Sequence, residues 1–138
     1  MIKNTIFKYS LLIKEHHLDT FGHVNNAKYL ELLEEARWEF LNAHGMDLKT
    51  IHEKGIGPVI LELEIKFLKE VRLRQLITIE SQMLSFDQKI GVMQQYILND
   101  RDQLCCKAKM TFGFFDMNTR KLILPSAQLL SVLGIQTF

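Results

Sequence analysis

The sequence predicts an α+β domain in which a curved antiparallel sheet wraps around one long helix. Three observations predict it: one long apolar helix between about Ala27 and His44, a change of apolar period to two from Val59 onward, and short polar links between the later strands. Strands joined by tight turns run antiparallel, and a helix that is apolar over much of its circumference has to be covered by the sheet they form.

Taken in order, Ile6 to Lys14 reads as a first strand. In the helix, Tyr29, Leu32, Leu33, Ala36, Phe40 and Ala43 recur at the i, i+3, i+4 spacing of a buried stripe, and Leu30, Trp38 and Leu41 widen the apolar surface. Asn25 or Asn26 is placed to cap its exposed N–H groups, and Gly45 to end it. Glu34 and Glu35, with Lys28 and Arg37 in reach, read as ion pairs along the helix. Asp47 to Lys54 predicts a short helical turn before the punctuation of Gly55, Gly57 and Pro58. Val59, Leu61, Leu63, Ile65 and Phe67 then alternate with Glu62, Glu64 and Lys66, which predicts a half-buried strand with one wet face. Further strands are predicted over Leu73 to Phe86, Ile90 to Asn99 and Leu104 to Asp116, with Asp87–Gln88 and Asp100–Arg101–Asp102 as their connections. Leu104, Cys106, Ala108, Met110, Phe112 and Phe114 share one face of the last of these, and Ser126 to Leu133 is apolar enough for a short terminal helix.

Composition narrows the function. A chain of 138 residues fits one domain over 1–138, large enough to bury roughly two-thirds of its unfolded surface. A net charge of +1 argues against non-specific nucleic-acid binding as the main role. Cys105 and Cys106 are adjacent on a strand, where neighbouring side chains diverge, so free thiols in a reducing compartment are expected. The opening residues lack the apolar run of a signal peptide and no window reaches membrane-spanning length, which predicts a cytoplasmic protein.

Chemistry is concentrated before the helix. An Asp or Asn in that position is ordinarily a cap, but Asp19, His23, Asn25 and Asn26 lie within eight positions where one cap suffices. A helix N-terminus carries a positive partial charge of roughly half a unit and free N–H donors, so it can hold a polarised carbonyl oxygen while a nearby carboxylate faces the carbon. An acid and a donor aimed at a developing oxyanion are the minimum for acyl transfer.

The order strand, DxxGHVNN loop, apolar helix, antiparallel strands resembles the hotdog fold of the acyl-CoA thioesterases, in the 4-hydroxybenzoyl-CoA thioesterase-like superfamily. Within it, HLDTFGHVNNAKYLELLEEARW, from His17 to Trp38, is similar to the bacterial long-chain acyl-CoA thioesterases, whose helix opens with HVNNARYLEFLEEARW. The resemblance implies hydrolysis of medium- to long-chain fatty acyl-CoA to fatty acid and coenzyme A, with no separate cofactor, since coenzyme A is part of the substrate. It implies that Asp19 is the catalytic carboxylate, acting as nucleophile through a mixed anhydride or as general base on water. Asn26 falls where relatives use a backbone N–H at the helix start to polarise the thioester carbonyl, and His23 either matches the histidine of a DxxxHxxN pattern shared with plant acyl carrier protein thioesterases or is a buried, hydrogen-bonded loop residue. Those enzymes have an asparagine two residues after the acid; here that place is Phe21.

Gly22, Val24 and Asn25 complete the implied substrate-contacting loop, and the basic cluster Lys66, Lys69, Arg72 and Arg74 is expected either to meet the phosphates of coenzyme A or to form a solvated turn with Glu70. Leu33, Phe40, Met83, Met93 and Met110 are candidates for an acyl groove, or simply core. A sheet with open edges predicts a homodimer, or a tetramer of two such pairs, with the active site between subunits as in the family. An acyl carrier protein thioesterase and a non-catalytic acyl-thioester binding protein are the alternatives, and His16, His17 and His23 lack the fourth ligand and regular spacing of a metal site.

Overall fold

A computed structural model describes residues 5–135. The outermost residues of the predicted domain, 1–4 and 136–138, and with them part of the reading of the opening segment, lie outside that range. The chain forms β1 (Phe7–Leu12), a single 3-10 turn (Glu15–His17), α1 (Asn26–Ala43), α2 (Leu48–Lys54), β2 (Ile56–Phe67), β3 (Leu76–Asp87), β4 (Ile90–Leu98), β5 (Leu104–Asp116), β6 (Lys121–Ile123) and α3 (Ala127–Val132). The strands make one antiparallel sheet in the order β1-β3-β4-β5-β2, with β6 added to β5. This is the predicted α+β architecture, a sheet packed around one long helix.

Local chemistry places the helix ends. Asn25, in extended backbone, accepts the Ala27 N–H on its side chain, so it is the cap and Asn26 is the first helical residue. At the other end the Met46 N–H returns to the Leu41 carbonyl and the Gly45 N–H to Asn42, with Gly45 at φ +87°. That doubled closure requires a left-handed residue, which explains the glycine. Asp47 caps α2 through the Thr50 N–H, and Gly55 at φ +68° stops it.

Tyr29, Leu32, Leu33, Ala36, Phe40 and Leu41 are the buried residues of α1. Ala43, expected in the stripe, is exposed, because the helix is ending there and Leu41 takes the inward position. The inner face of the sheet divides beneath the helix. Its first half packs with Ile77, Ile79, Ile97, Cys106 and Ala108, its second with Met83, Met93, Met110, Phe112 and Phe114.

β2 lies at the far edge of the sheet beside β5, and not beside β3, which follows it, because the 68–75 connection crosses the end of the sheet. Two expectations need correction. β2 lacks a cleanly buried face: a bulge between Ile60 and Glu62 breaks the alternation, and Ile60, Leu61, Leu63 and Phe67 are all exposed. The strand predicted from Leu73 starts at Leu76, since Arg74 takes φ +63° in a turn.

Both cysteines are free and both are fully buried. Burial raises the Cys105 thiol, with its S–H donating to the Gln103 carbonyl, and pushes Cys106 up to about 12, so both are neutral core residues.

Candidate active site

The residues from Leu18 to Val24 form a closed loop, tied at its base by a bridge between those two residues. The Asp19 N–H donates to the His23 carbonyl at 2.9 Å, and the Gly22 N–H to the Asp19 carbonyl at 3.3 Å. Gly22 supplies φ +84° at the turn, with open space where a side chain would stand, so its requirement is for backbone conformation alone. Asp19 Oδ1 accepts the Phe21 N–H at 2.8 Å, and Oδ2 lies 3.4 Å from His23 Nδ1. The Asp19 side chain is 18 % exposed, sheltered yet reachable, and the Phe21 ring, 83 % exposed, stacks beside His23 at the mouth.

Two neighbouring segments hold this loop against the helix. The Asn25 N–H donates to the His17 carbonyl, and the Val24 N–H to the Val71 carbonyl. His23 also bridges Arg72. His17 is itself buried, its Nδ1 accepting the Lys14 N–H, and burial holds its pKa below the ordinary histidine value. The Val24 side chain lies in the core, so it anchors the loop and leaves any substrate contact there to its backbone.

The helix N-terminus is left with one open donor. Ala27 is satisfied by the Asn25 side chain, and Lys28 and Tyr29 by the Asn25 carbonyl, whereas the Asn26 N–H has no partner among the described residues. An oxygen placed against it meets an unsatisfied donor at the positive end of an 18-residue helix. The loop therefore presents a carboxylate, an imidazole and a free N–H on consecutive stretches of chain, a set suited to acyl transfer.

The basic cluster is not one surface. Arg72 stands beside the loop, but its guanidinium is engaged by Glu70, and Arg74 is bonded to Glu15 at 2.7 and 3.0 Å. Lys66 sits opposite Lys107 on the sheet face turned away from α1, and Lys69 lies in the crossing connection, its N–H bonded to the Cys105 carbonyl. Among the described residues, no group of three or more His, Cys, Asp or Glu is arranged to hold a metal ion.

A cavity of about 190 Å³ opens between the second half of α1 and strands β2, β4 and β5, and a second hollow shares Glu34, Arg37, Ile60 and Met110 with it. Phe40, Met93 and Met110 line the first, Leu33 the second, while Met83 stays in the core. The ion pairs expected for Glu34, Glu35 and Arg37 are not formed. Glu35 accepts the Tyr9 hydroxyl at 2.6 Å, pushing that phenol up to about 12, and the Lys28 partner is Glu31. Arg37 Nη1 donates to Gln95 Oε1 at 3.1 Å, and Gln95 Nε2 donates to the Leu33 carbonyl and to Ser81 Oγ. The sequence carried a signal for this network: Ser81 and Gln95 face one another at inward positions otherwise occupied by Ile79, Met83, Met93 and Ile97.

Residues 13–133 match the thioesterase-like superfamily, and the chain belongs to it. It is a thioester hydrolase of the hotdog fold. It is 36% identical over 119 residues to the long-chain acyl-CoA thioesterase FadM of Escherichia coli K12, covering 85% of this chain and 89% of that protein. The crystal structure of YbaW, a probable thioesterase of Escherichia coli, superposes with a TM-score of 0.80 at 32% identity, over 92% of this chain and 96% of that one. Protein SAV2348 of Staphylococcus aureus, solved in complex with CoA, shares the fold with a TM-score of 0.87 at 17% identity, over 96% and 83% of the two chains. Among the described residues, no helix is long and apolar enough to cross a membrane.

Proposed function

We propose that the protein hydrolyses medium- to long-chain acyl-CoA thioesters to fatty acid and coenzyme A, with Asp19 as the catalytic carboxylate. One observation carries the reading: a sheltered carboxylate and an unsatisfied helix N–H bracket a single tight loop, and a largely apolar hollow begins one turn further along the same helix, at Leu30. The thioester oxygen rests on the Asn26 N–H, which strengthens its hold as the oxygen becomes anionic. The Asp19 carboxylate acts on the carbonyl carbon directly or through a water, and His23 steadies Oδ2 and passes protons at the mouth. The C–S bond breaks and the thiolate leaves, taking a proton to become coenzyme A; on the direct route water then cleaves the mixed anhydride, which frees the fatty acid and restores the Asp19 carboxylate.

The acyl chain runs from the helix mouth along α1. Asn26, Leu30, Glu34, Arg37 and Leu41 follow one another at three- and four-residue steps on one helix face, and that face borders both hollows. The eleven steps from Asn26 to Arg37 correspond to roughly 16 Å of helix, the reach of a chain of medium length or more. Lys66 and Lys69, which make no ion pair among the described residues, are the remaining cations for coenzyme A phosphates; Lys66 facing Lys107 is a like-charge pair that an anion relieves. Two copies join along the exposed apolar edge of β2, which brings the groove to the seam between them.

Thiol release from straight-chain acyl-CoA esters of graded length tests this. Activity that rises with chain length through the medium range supports the reading, and a protein inert across the whole series refutes it. The same assay with acyl carrier protein thioesters separates the two carriers.

A further inference from the structure

The groove is not uniformly apolar. On the wall of the larger cavity the charged residues are Glu34 and Arg37, set among Trp38, Phe40, Met93 and Met110. Arg37 is held in place from behind: Nη1 donates to Gln95, and Gln95 is fully buried and fixed by the Leu33 carbonyl and by Ser81. A guanidinium carries five donors, and one is spent on Gln95. Arg37 makes no ion pair among the described residues; Glu34, three residues earlier on the same helix face, is felt only through space and offers a carboxylate to the same cavity. A built network that orients a cation into an acyl groove is more than a hydrocarbon chain needs, since such a chain leaves those donors without partners.

We propose that Arg37 and Glu34 form a specificity site for acyl chains that carry a hydroxyl group in their distal part, some 16 Å along the helix from the reacting carbonyl. A hydroxyl fits both residues, because its oxygen accepts from the guanidinium while its proton is donated to the carboxylate. A terminal carboxylate on the chain fits worse. The charges of Glu34 and Arg37 offset one another, and the glutamate repels a second anion. The inference rests on the acyl-thioester reading for the route by which the chain enters the groove, with Arg37 acting on substrate choice and Asp19 on the chemistry.

The test compares acyl-CoA esters of one length, unsubstituted and hydroxylated at successive distal carbons, and in parallel the calorimetric binding of the corresponding free fatty acids, which needs no turnover. The wild type is expected to favour one or two adjacent hydroxyl positions by about tenfold in kcat/KM, through KM, and by a similar factor in Kd. In Arg37→Met, which keeps an unbranched apolar stem, the preference collapses to parity, read as the ratio of hydroxylated to unsubstituted ester within that variant. The wild-type comparison stands alone if that variant does not fold. Equal or weaker handling of every hydroxylated chain overturns the proposal, as does a preference that survives in a folded Arg37→Met. If no thioester is hydrolysed, the hydrolase reading fails, and the fatty-acid titration still decides the groove's selectivity.

Discussion

Asp19 and His23 close one loop from its two ends: backbone N–H to carbonyl at 2.9 Å, and carboxylate Oδ2 to imidazole Nδ1 at 3.4 Å. Their relative position therefore depends on the turn between them, and that turn depends on Gly22 at φ +84°. An alanine there has room for its methyl group but not the backbone preference. Gly22→Ala is expected to lower stability by about 1–2 kcal/mol, with Gly22→Asn milder because asparagine tolerates left-handed backbone. Urea denaturation of the three proteins checks the order.

Asn25 has a double duty, its side chain accepting from Ala27 and its carbonyl from Lys28 and Tyr29. Only the side-chain bond is lost on mutation. Asn25→Ala is expected to cost about 1 kcal/mol, and Asn25→Asp to keep the cap. Thermal unfolding gives the difference, and thiol release shows whether fraying of the first turn moves the Asn26 N–H.

His17 makes the site's support sensitive to acid. Burial lowers its pKa in the folded protein, and Nδ1 is occupied by the Lys14 N–H, so the fold favours the neutral ring. The unfolded chain binds its proton at about pH 6.5 and the folded one only at lower pH. The contribution is thus complete above about pH 6.5 and is lost as pH falls from there to the folded value. The urea midpoint of the wild type is expected to drop on going from pH 7.5 to 5.5, and by less in His17→Asn, whose Oδ1 replaces Nδ1 as acceptor without titrating.

Much of the fold was legible because it is local. The helix showed in the spacing of Tyr29, Leu32, Leu33, Ala36 and Phe40, its end in Gly45, and β5 in the alternation from Leu104 to Phe114. The place of β2 was not legible, since its pairing with β5 spans some fifty residues and its edge position removes the burial that period two implies. β6 is three residues long and exists by pairing with Phe114, Phe115 and Asp116. At the site, the loop's polar density marked the place, but its anchoring by Val71 and Arg72 comes from a segment distant in sequence. The spacing of Arg37 and Glu34 reads as an ion pair because the two stand three residues apart, whereas the actual partner of Arg37, Gln95, lies on β4, far along the chain.

The most direct measurement is thiol release by Asp19→Asn beside the wild type on a long-chain acyl-CoA ester. The asparagine Oδ1 keeps the bond from the Phe21 N–H, so the loop and the melting temperature are expected to hold. With the charge gone, kcat is expected to fall by at least about 10²-fold. A folded Asp19→Asn protein that works within a few-fold of the wild type contradicts a mechanism centred on this carboxylate.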